Sequence, residues 1–292
     1  MTSTDSKAAT RGTKALGENL DDPDRLERLG SGATADVYLL GDGSVLKLFK
    51  PEFGERAARY EAAIAEAVGG MGIGAPAYSG TVTVAGRIGI VEEFIPGPIL
   101  LDELLAAKPG KAFALARRLA QTHAAIHESR CDALPRQRDR LSFLAREAKG
   151  IEPFRERILA WLARRDGDTA VCHGDLHVGN VIVSGEDFRV IDWMNAYSGE
   201  REGDVLRSYL TIVTPFLPFP LSFPKRVAFS LYKRALGETY LREYCRVSGL
   251  KRRALKVWWP AIAAVRIADN VPGEKRWLLG KIGKNLRRLQ ER

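Results

Sequence analysis

The rhythm of apolar positions along the chain changes near residue 99. Before that point the apolar runs are short, β-branched and punctuated by glycine or proline. Leu29 to Leu40 reads as strand, glycine turn and strand, and Gly41-Asp42-Gly43 as a hairpin turn leading into a third strand at Ser44 to Phe49. Pro51 ends that strand. Glu55 to Val68 carry a helical pattern that Gly69-Gly70 stops, and two more strands are expected near Tyr78 to Val84 and Ile88 to Phe94. From Ile99 onward the spacing is helical, with a short helix at Leu100 to Ala107, a long one at Lys111 to Glu128, and others at Leu141 to Lys149 and Pro153 to Arg165. The pattern reverts once. Val181-Ile182-Val183 and Phe188-Arg189-Val190-Ile191 are β-branched runs around a turn at Ser184 to Asp187, a small hairpin. The chain from Tyr209 on reads as helical, broken at Pro215 to Pro224, near Gly249 and at Pro272-Gly273.

Three polar side chains interrupt the apolar run around that hairpin. Asp175 and Asn180 lie on the loop entering its first strand and Asp192 just past its second, so the hairpin is expected to carry all three to one rim. A carboxylate, an amide oxygen and a second carboxylate suit a hard divalent cation such as magnesium, which takes oxygen ligands and shares its shell with phosphates. Phosphoryl transfer needs such a metal and one further carboxylate to orient the attacking hydroxyl. Asp and Asn at this spacing, followed by Asp after a strand, match the kinase catalytic loop and its metal-binding Asp. A single Asp or Asn in a loop would signify only a turn. The joint spacing is far less common.

His173-Gly174-Asp175-Leu176-His177 with Asn180, followed by Ile191-Asp192-Trp193, resembles the aminoglycoside phosphotransferase and choline kinase-like family. The resemblance implies an α+β, protein-kinase-like fold of two lobes. Residues 23–96 would form a small antiparallel-sheet lobe with one helix, and residues 97–292 a larger, mostly helical lobe. Residues 1–22 read as a disordered tail. ATP would lie between the lobes, with Asp175 as catalytic base and Asn180 and Asp192 holding Mg2+. Trp193 stands where protein kinases have Phe. The glycine turn, with Ser31, Gly32, Ala33 and Thr34, would offer backbone amides to the phosphates, although Ala35 takes the place of a third glycine. Lys47 is the only charge in its apolar run. It is either an exposed alternate-face residue or the lysine that pairs with nucleotide phosphates, and the catalytic loop downstream favours the second. Glu61 and Glu66 are candidates to orient it, with the resemblance pointing to Glu61. Backbone groups of about Glu93 to Ile95 would take the adenine edge. Asp204 matches the family's Asp that braces the catalytic loop, and a bare helix cap would also place an Asp there. His123 and His127, four apart on a helix, lack a third metal ligand in sequence and read as packing and hydrogen-bonding residues against the catalytic loop.

Composition and charge narrow this picture. The 292 residues carry a formal charge of +9, with basic residues dense at Lys251-Arg252-Arg253 and Lys281 to Arg288. Such a field attracts anions. No nucleic-acid-binding motif accompanies it, and the residues read as solvated helix faces. No run has the length of a membrane span, the first residues lack a signal-peptide core, and three cysteines without metal-ligand spacing read as free thiols, so a cytoplasmic protein is expected. The expected partner is a small hydroxylated molecule, with no role for nucleic acid or membrane. Its identity is open. A polycationic aminoglycoside usually calls for an acidic cleft, whereas the acids of the helical end, Glu238, Glu243, Asp269 and Glu274, are scattered among basic residues. A protein kinase is the first alternative, disfavoured by the lack of Ala-Pro-Glu and the short interval from Asp192 to Asp204. A non-catalytic nucleotide-binding protein is the second, disfavoured by the joint presence of Lys47, Asp175, Asn180 and Asp192.

Overall fold

The structure, a computed structural model, describes residues 23–289 except Ala33, Asp166 and residues 217–219. The expected tail and Ala33 therefore lie outside the described residues. In chain order the elements are β1 (Glu27–Ser31), β2 (Ala35–Leu39), β3 (Ser44–Phe49), α1 (Glu55–Gly69), β4 (Tyr78–Val84), β5 (Arg87–Glu93), α2 (Leu100–Ala106), α3 (Pro109–Ile126), α4 (Gln137–Glu147), α5 (Glu152–Leu162) and β6 (Ala170–Cys172). There follow β7 (Val181–Ser184), β8 (Asp187–Val190), β9 (Tyr197–Gly199), α6 (Arg201–Val213), α7 (Phe223–Ser248), α8 (Trp259–Ala268) and α9 (Lys275–Asn285). Two compact units result, and the division is not a single cut. Residues through Gly97 group with Ile182–Met194, and Pro98–Val181 group with Asn195–Arg292.

In the first unit β1 to β5 form one antiparallel sheet in the order β1-β2-β3-β5-β4. Alternation along β3 explains its two faces. Leu46 and Leu48 pack with Tyr38, Leu40, Val84 and Val91 on one side. On the other, Phe49 joins Ala35 and Ile90 against Ala58, Ala62 and Ala65 of α1. Alanines on that helix face let its backbone approach the sheet closely. The β7–β8 hairpin is anchored to this unit by backbone and arginine. Val190 N–H donates to Gly74 O at 2.9 Å, and Arg189 donates to Gly74 O, Ala75 O and both Glu93 carboxylate oxygens at 2.7–3.2 Å. Gly97 has φ of 137°, and a Cβ there would collide with Val183 O. A side chain at 97 would push the hairpin away.

The second unit is helical around one large core. Trp161 and Trp258 meet edge to face at 4.8 Å, amid Leu206, Leu210, Ile262, Val265, Leu278 and Ile282. The strand pair β6–β9 is antiparallel and fully buried. Three-residue strands carry too little periodicity to be seen in sequence. Gly249 adopts φ of 70° and ends α7, as its position after the helical run suggests. Helix α3 begins at Pro109 rather than Lys111, because proline at the first helical position loses no hydrogen bond. Among the described residues no helix is long and apolar enough to cross a membrane.

Candidate active site

In the first unit the chemistry gathers around Lys47. Strand alternation turns this lysine toward α1, where it donates to Glu61 Oε1, and it also reaches Asp192 Oδ1 at 3.2 Å. Of the two glutamates weighed in sequence, Glu61 is buried and bonded to the lysine, while Glu66 is exposed. Burial disfavours the ammonium, but Asp192 and Glu61 more than offset this and raise the Lys47 pKa above its ordinary value. Asp192 holds φ of 63°, a left-handed conformation that Asp tolerates better than most residues. Trp193 beside it is buried and donates its indole N–H to Val190 O at 2.8 Å.

A third carboxyl faces the same lysine, and the sequence reading passed over it. Val45 pairs with Glu92 and Lys47 with Ile90, so Glu92 projects from the sheet face that carries Lys47. Burial pushes the Glu92 carboxyl up to about 7, against the pull of Lys47 and with repulsion from Glu61 and Asp192. In sequence the run Val91-Glu92-Glu93 does not show which of the two glutamates faces inward.

The glycine turn between β1 and β2 departs from expectation in one respect. Gly32 N–H donates to Ala35 O at 2.8 Å, so that amide is already engaged. Ser31 Oγ donates to Asp36 at 2.7 Å, Lys50 Nζ to Gly32 O at 2.6 Å, and Thr34 O accepts from Lys50 N–H at 2.9 Å. At the end of β5, Glu93 N–H donates to Ala77 O and Phe94 N–H to Gly43 O, whereas Ile95 N–H makes no hydrogen bond to another described residue. Of the amides at Glu93 to Ile95, the one at Ile95 is the donor left for a ligand.

The second unit contributes the loop that follows β6. Gly174 takes φ of 78°, and a Cβ there would strike Asn195 O, so only glycine fits. The loop is tied to itself by short-range bonds. Asp175 N–H donates to His173 Nδ1 at 3.2 Å, Gly179 N–H to His177 Nδ1 at 3.0 Å, and Asn180 Nδ2 to Asp175 O at 3.2 Å. Asn180 thus spends its amide N–H on the loop and leaves its oxygen as the free end. Asp204 receives His173 N–H at 2.8 Å and Gly174 N–H at 3.0 Å. It is not the cap of its own helix. Glu200 occupies that position, and Asp204 is the fourth residue of α6.

His123 and His127 complete the bracing of the loop. Their Nε2 atoms lie 3.0 and 3.2 Å from Asp204 Oδ2, and their Nδ1 atoms lie 2.7 Å from the hydroxyls of Tyr240 and Tyr244 respectively. With both imidazoles neutral and protonated at Nε2, every one of these contacts is a satisfied hydrogen bond. Burial, reinforced by the neighbouring His123, pushes His127 down to about 4, in keeping with a neutral ring. Burial alone would raise the Asp204 carboxyl, yet the two imidazole hydrogen bonds hold it well below its ordinary value. The cluster brings His123, His127 and Asp204 within reach of a common ion. Both nitrogens of each ring are already bonded at hydrogen-bond rather than metal-ligand distance, so the group is a brace and not a metal centre.

Asp175 itself is held from α6 by a residue that sequence reasoning missed. Arg207, 2% exposed, donates from Nε to Asp175 Oδ1 at 3.2 Å and from Nη2 to both oxygens of Asp269 at 3.1 Å. Burial would raise the Asp175 pKa, but Arg207, His177 and His173 outweigh it and keep the carboxyl below its ordinary value. Arg207 follows Asp204 by three residues, one helical turn, which puts both side chains on one face of α6.

The profile of the phosphotransferase enzyme family (APH) matches residues 25–258 of this chain. No protein in a search of curated sequences matches it. Among solved structures, the streptomycin–ATP ternary complex of aminoglycoside phosphotransferase APH(2")-IIa is similar at 15% identity, covering 97% of each chain with a TM-score of 0.57. APH(3'')-Id from Streptomyces rimosus is 15% identical over 87% of this chain and 95% of its own, with a TM-score of 0.60. A thermostable mutant of APH(4)-Ia, solved with AMP-PNP and hygromycin B, is 15% identical over 94% and 97%, with a TM-score of 0.61. At these identities the structural likeness establishes the fold, and the family profile, which spans most of the chain, establishes kinship: the chain belongs to the phosphotransferase enzyme family.

Proposed function

We propose that this protein transfers the γ-phosphoryl group of ATP to a hydroxyl of a small molecule. The observation that carries the reading is the half-buried Lys47, paired at once with Glu61 and Asp192. A lysine so held is fixed in place for an anionic ligand, because its ammonium keeps its charge and two carboxylates set its direction. In this reading Lys47 and the turn at Ser31 and Thr34 steady the phosphates, while Glu93 and Ile95 offer backbone groups to the base. Asp175 orients the acceptor hydroxyl and takes up its proton; only its Oδ1 is engaged by Arg207, which leaves Oδ2 for that hydroxyl.

Each unit, taken by itself, offers an oxygen donor of the kind magnesium takes. Asp192 offers a carboxylate that is 43% exposed, and Asn180 an amide oxygen whose companion N–H is already engaged. Bound there, magnesium would neutralise charge on the phosphates as the phosphoryl group moves.

The acceptor is read as neutral or anionic. Among the described residues each of the four acids of the helical end is matched by an arginine: Glu238 by Arg252, Glu243 by Arg246, Asp269 by Arg207 and Arg266, and Glu274 by Arg266. They offer no unmatched charge to a polycation. Hence "aminoglycoside" describes the solved neighbours rather than the acceptor proposed here. A cytoplasmic setting, with ATP at hand, fits the free cysteines Cys131, Cys172 and Cys245. The test compares wild type, Asp175→Asn and Asp192→Ala in magnesium-dependent ATP turnover over a panel of neutral and anionic hydroxyl compounds. Both variants are expected to lose about 10³-fold or more in rate. Near-normal turnover by Asp192→Ala would defeat the assignment. ATP binding without turnover by the wild type on any compound would favour the non-catalytic alternative.

A further inference from the structure

Helix α6 grips three consecutive residues of the loop after β6. Asp204 takes the backbone N–H groups of His173 and Gly174, and one turn later Arg207 takes the side chain of Asp175. The second contact is unlike the first. It reaches the side chain that the proposed reaction uses to orient the acceptor, and it does so from inside the unit. The Arg207 side chain is 2% exposed, whereas those of Asp175 and Asp269 are 22% and 23% exposed.

We propose that Arg207 is the positioning residue for Asp175, with Asp269 as its anchor. The Nε–Nη2 edge of the guanidinium faces both carboxylates, one hydrogen bond to Asp175 Oδ1 and two to Asp269. Nη1 makes no hydrogen bond to a described residue, so the edge in use is the one that aims at Asp175. Asp269 is itself fixed. Arg266 Nη1 lies 3.3 Å from its Oδ2, and Arg266 is clamped in turn by both oxygens of the buried Glu274 at 2.9 and 3.1 Å. Thr214, the residue that follows α6, donates to Glu274 and closes the chain of contacts.

The physical consequence is a single orientation for a carboxylate that would otherwise turn freely at a partly exposed position. With Oδ1 held, Oδ2 points where the rest of the loop directs it, and His177 Nε2 approaches it only to 4.0 Å. Misplacing a reacting group by about 1 Å costs about 10²-fold in rate, so holding one rotamer is worth a comparable factor. Lysine cannot substitute fully. Its point charge reaches one carboxylate or the other, but it lacks the planar fork that serves both.

This inference rests on Asp175 being the residue that orients the acceptor, and the experiment separates the two. Arg207→Met alone leaves Asp269 with only its longer contact to Arg266 and risks local disruption of the core. The double variant Arg207→Met/Asp269→Asn removes both formal charges together and frees Asp175 within an intact core. Full-length wild type, Arg207→Lys and the double variant are compared for thermal midpoint, for KM and kcat in magnesium-dependent release of phosphate from ATP with water as acceptor, and by crystallography. For a folded double variant, the expected kcat loss is about 30- to 100-fold with KM for ATP within about threefold, and Arg207→Lys falls between. The Asp175 carboxylate is expected to leave its wild-type rotamer. A folded double variant with kcat within about threefold of wild type, or with Asp175 in its original orientation, overturns the positioning role. A wild type that neither binds nor turns over ATP would instead defeat the parent reading, and the crystal structures would still decide whether Arg207 sets the carboxylate.

Discussion

At the scale of single residues, electrostatics supports the proposed roles. Lys47 is useful because its two partners are acids on different elements, Glu61 on α1 and Asp192 past β8. Glu61→Gln keeps shape and removes one of the two charges. It is expected to raise KM for ATP about three- to tenfold with a smaller change in kcat, checked by steady-state kinetics; an unchanged KM would mean that Glu61 does not orient the lysine. Asp175, Asn180, Asp192 and Lys47 stand out in sequence as candidates because each is a polar residue in an apolar stretch. Arg207 does not, since an arginine in an amphipathic helix looks like any solvated one until the core shows which way it turns. Glu92 was hidden for a related reason, as a glutamate beside another glutamate reveals no facing.

At the scale of elements, α6 and the α3–α7 pair hold the loop that carries Asp175. The tie runs from Tyr240 and Tyr244 on α7 through His123 and His127 to Asp204. Tyr240→Phe leaves His123 Nδ1 buried without its donor and is expected to cost about 1–3 kcal/mol, read as a lower urea midpoint at unchanged m-value. His127 gives the network a pH dependence. Its folded pKa is depressed, from 6.5 to about 4, so the unfolded chain binds the extra proton between those values. The contribution is fully present above pH 6.5 and is lost as pH falls toward 4, by about 3 kcal/mol at most. In His127→Gln the slope of stability against pH over this window is expected to fall by about one proton; an unchanged slope would show that His127 does not titrate there.

Elements of five or more residues were largely readable, because periodicity of two or of 3.6 needs that length to show. The sheet strands β3 and β4 lie where the alternation placed them. Helix ends shifted by a few residues at α3 and α4, where proline and flanking polar residues leave the first turn undefined. The pair β6–β9 escaped notice because its two strands have three residues each and 24 intervening positions. Long-range pairing of that kind leaves no local mark. The brace from α7 was equally invisible, since Tyr240 and Tyr244 at helical spacing read as ordinary core.

At the scale of the molecule, the chain is two compact units, and the proposed chemistry draws on both. The first owns Lys47, Glu61 and Asp192, and the second Asp175 and Asn180. The hairpin that carries Asp192 is secured within the first unit by Arg189 and Glu93. Arg189→Met is expected to lower stability by about 1–3 kcal/mol, with the ion-pair share discounted because Glu93 is 39% exposed, and to weaken magnesium–ATP binding. Calorimetric titration with magnesium–ATP reads both the affinity and any loss of sites.

The most direct test of the whole account follows the phosphoryl group itself. Protein is incubated with magnesium and γ-labelled ATP over a panel of neutral, anionic and polycationic hydroxyl compounds, wild type beside Asp175→Asn. The account predicts label on a neutral or anionic compound with wild type, and none with Asp175→Asn although that variant still binds ATP. Equal labelling by the two proteins, or a wild type that fails to bind magnesium–ATP, would contradict it.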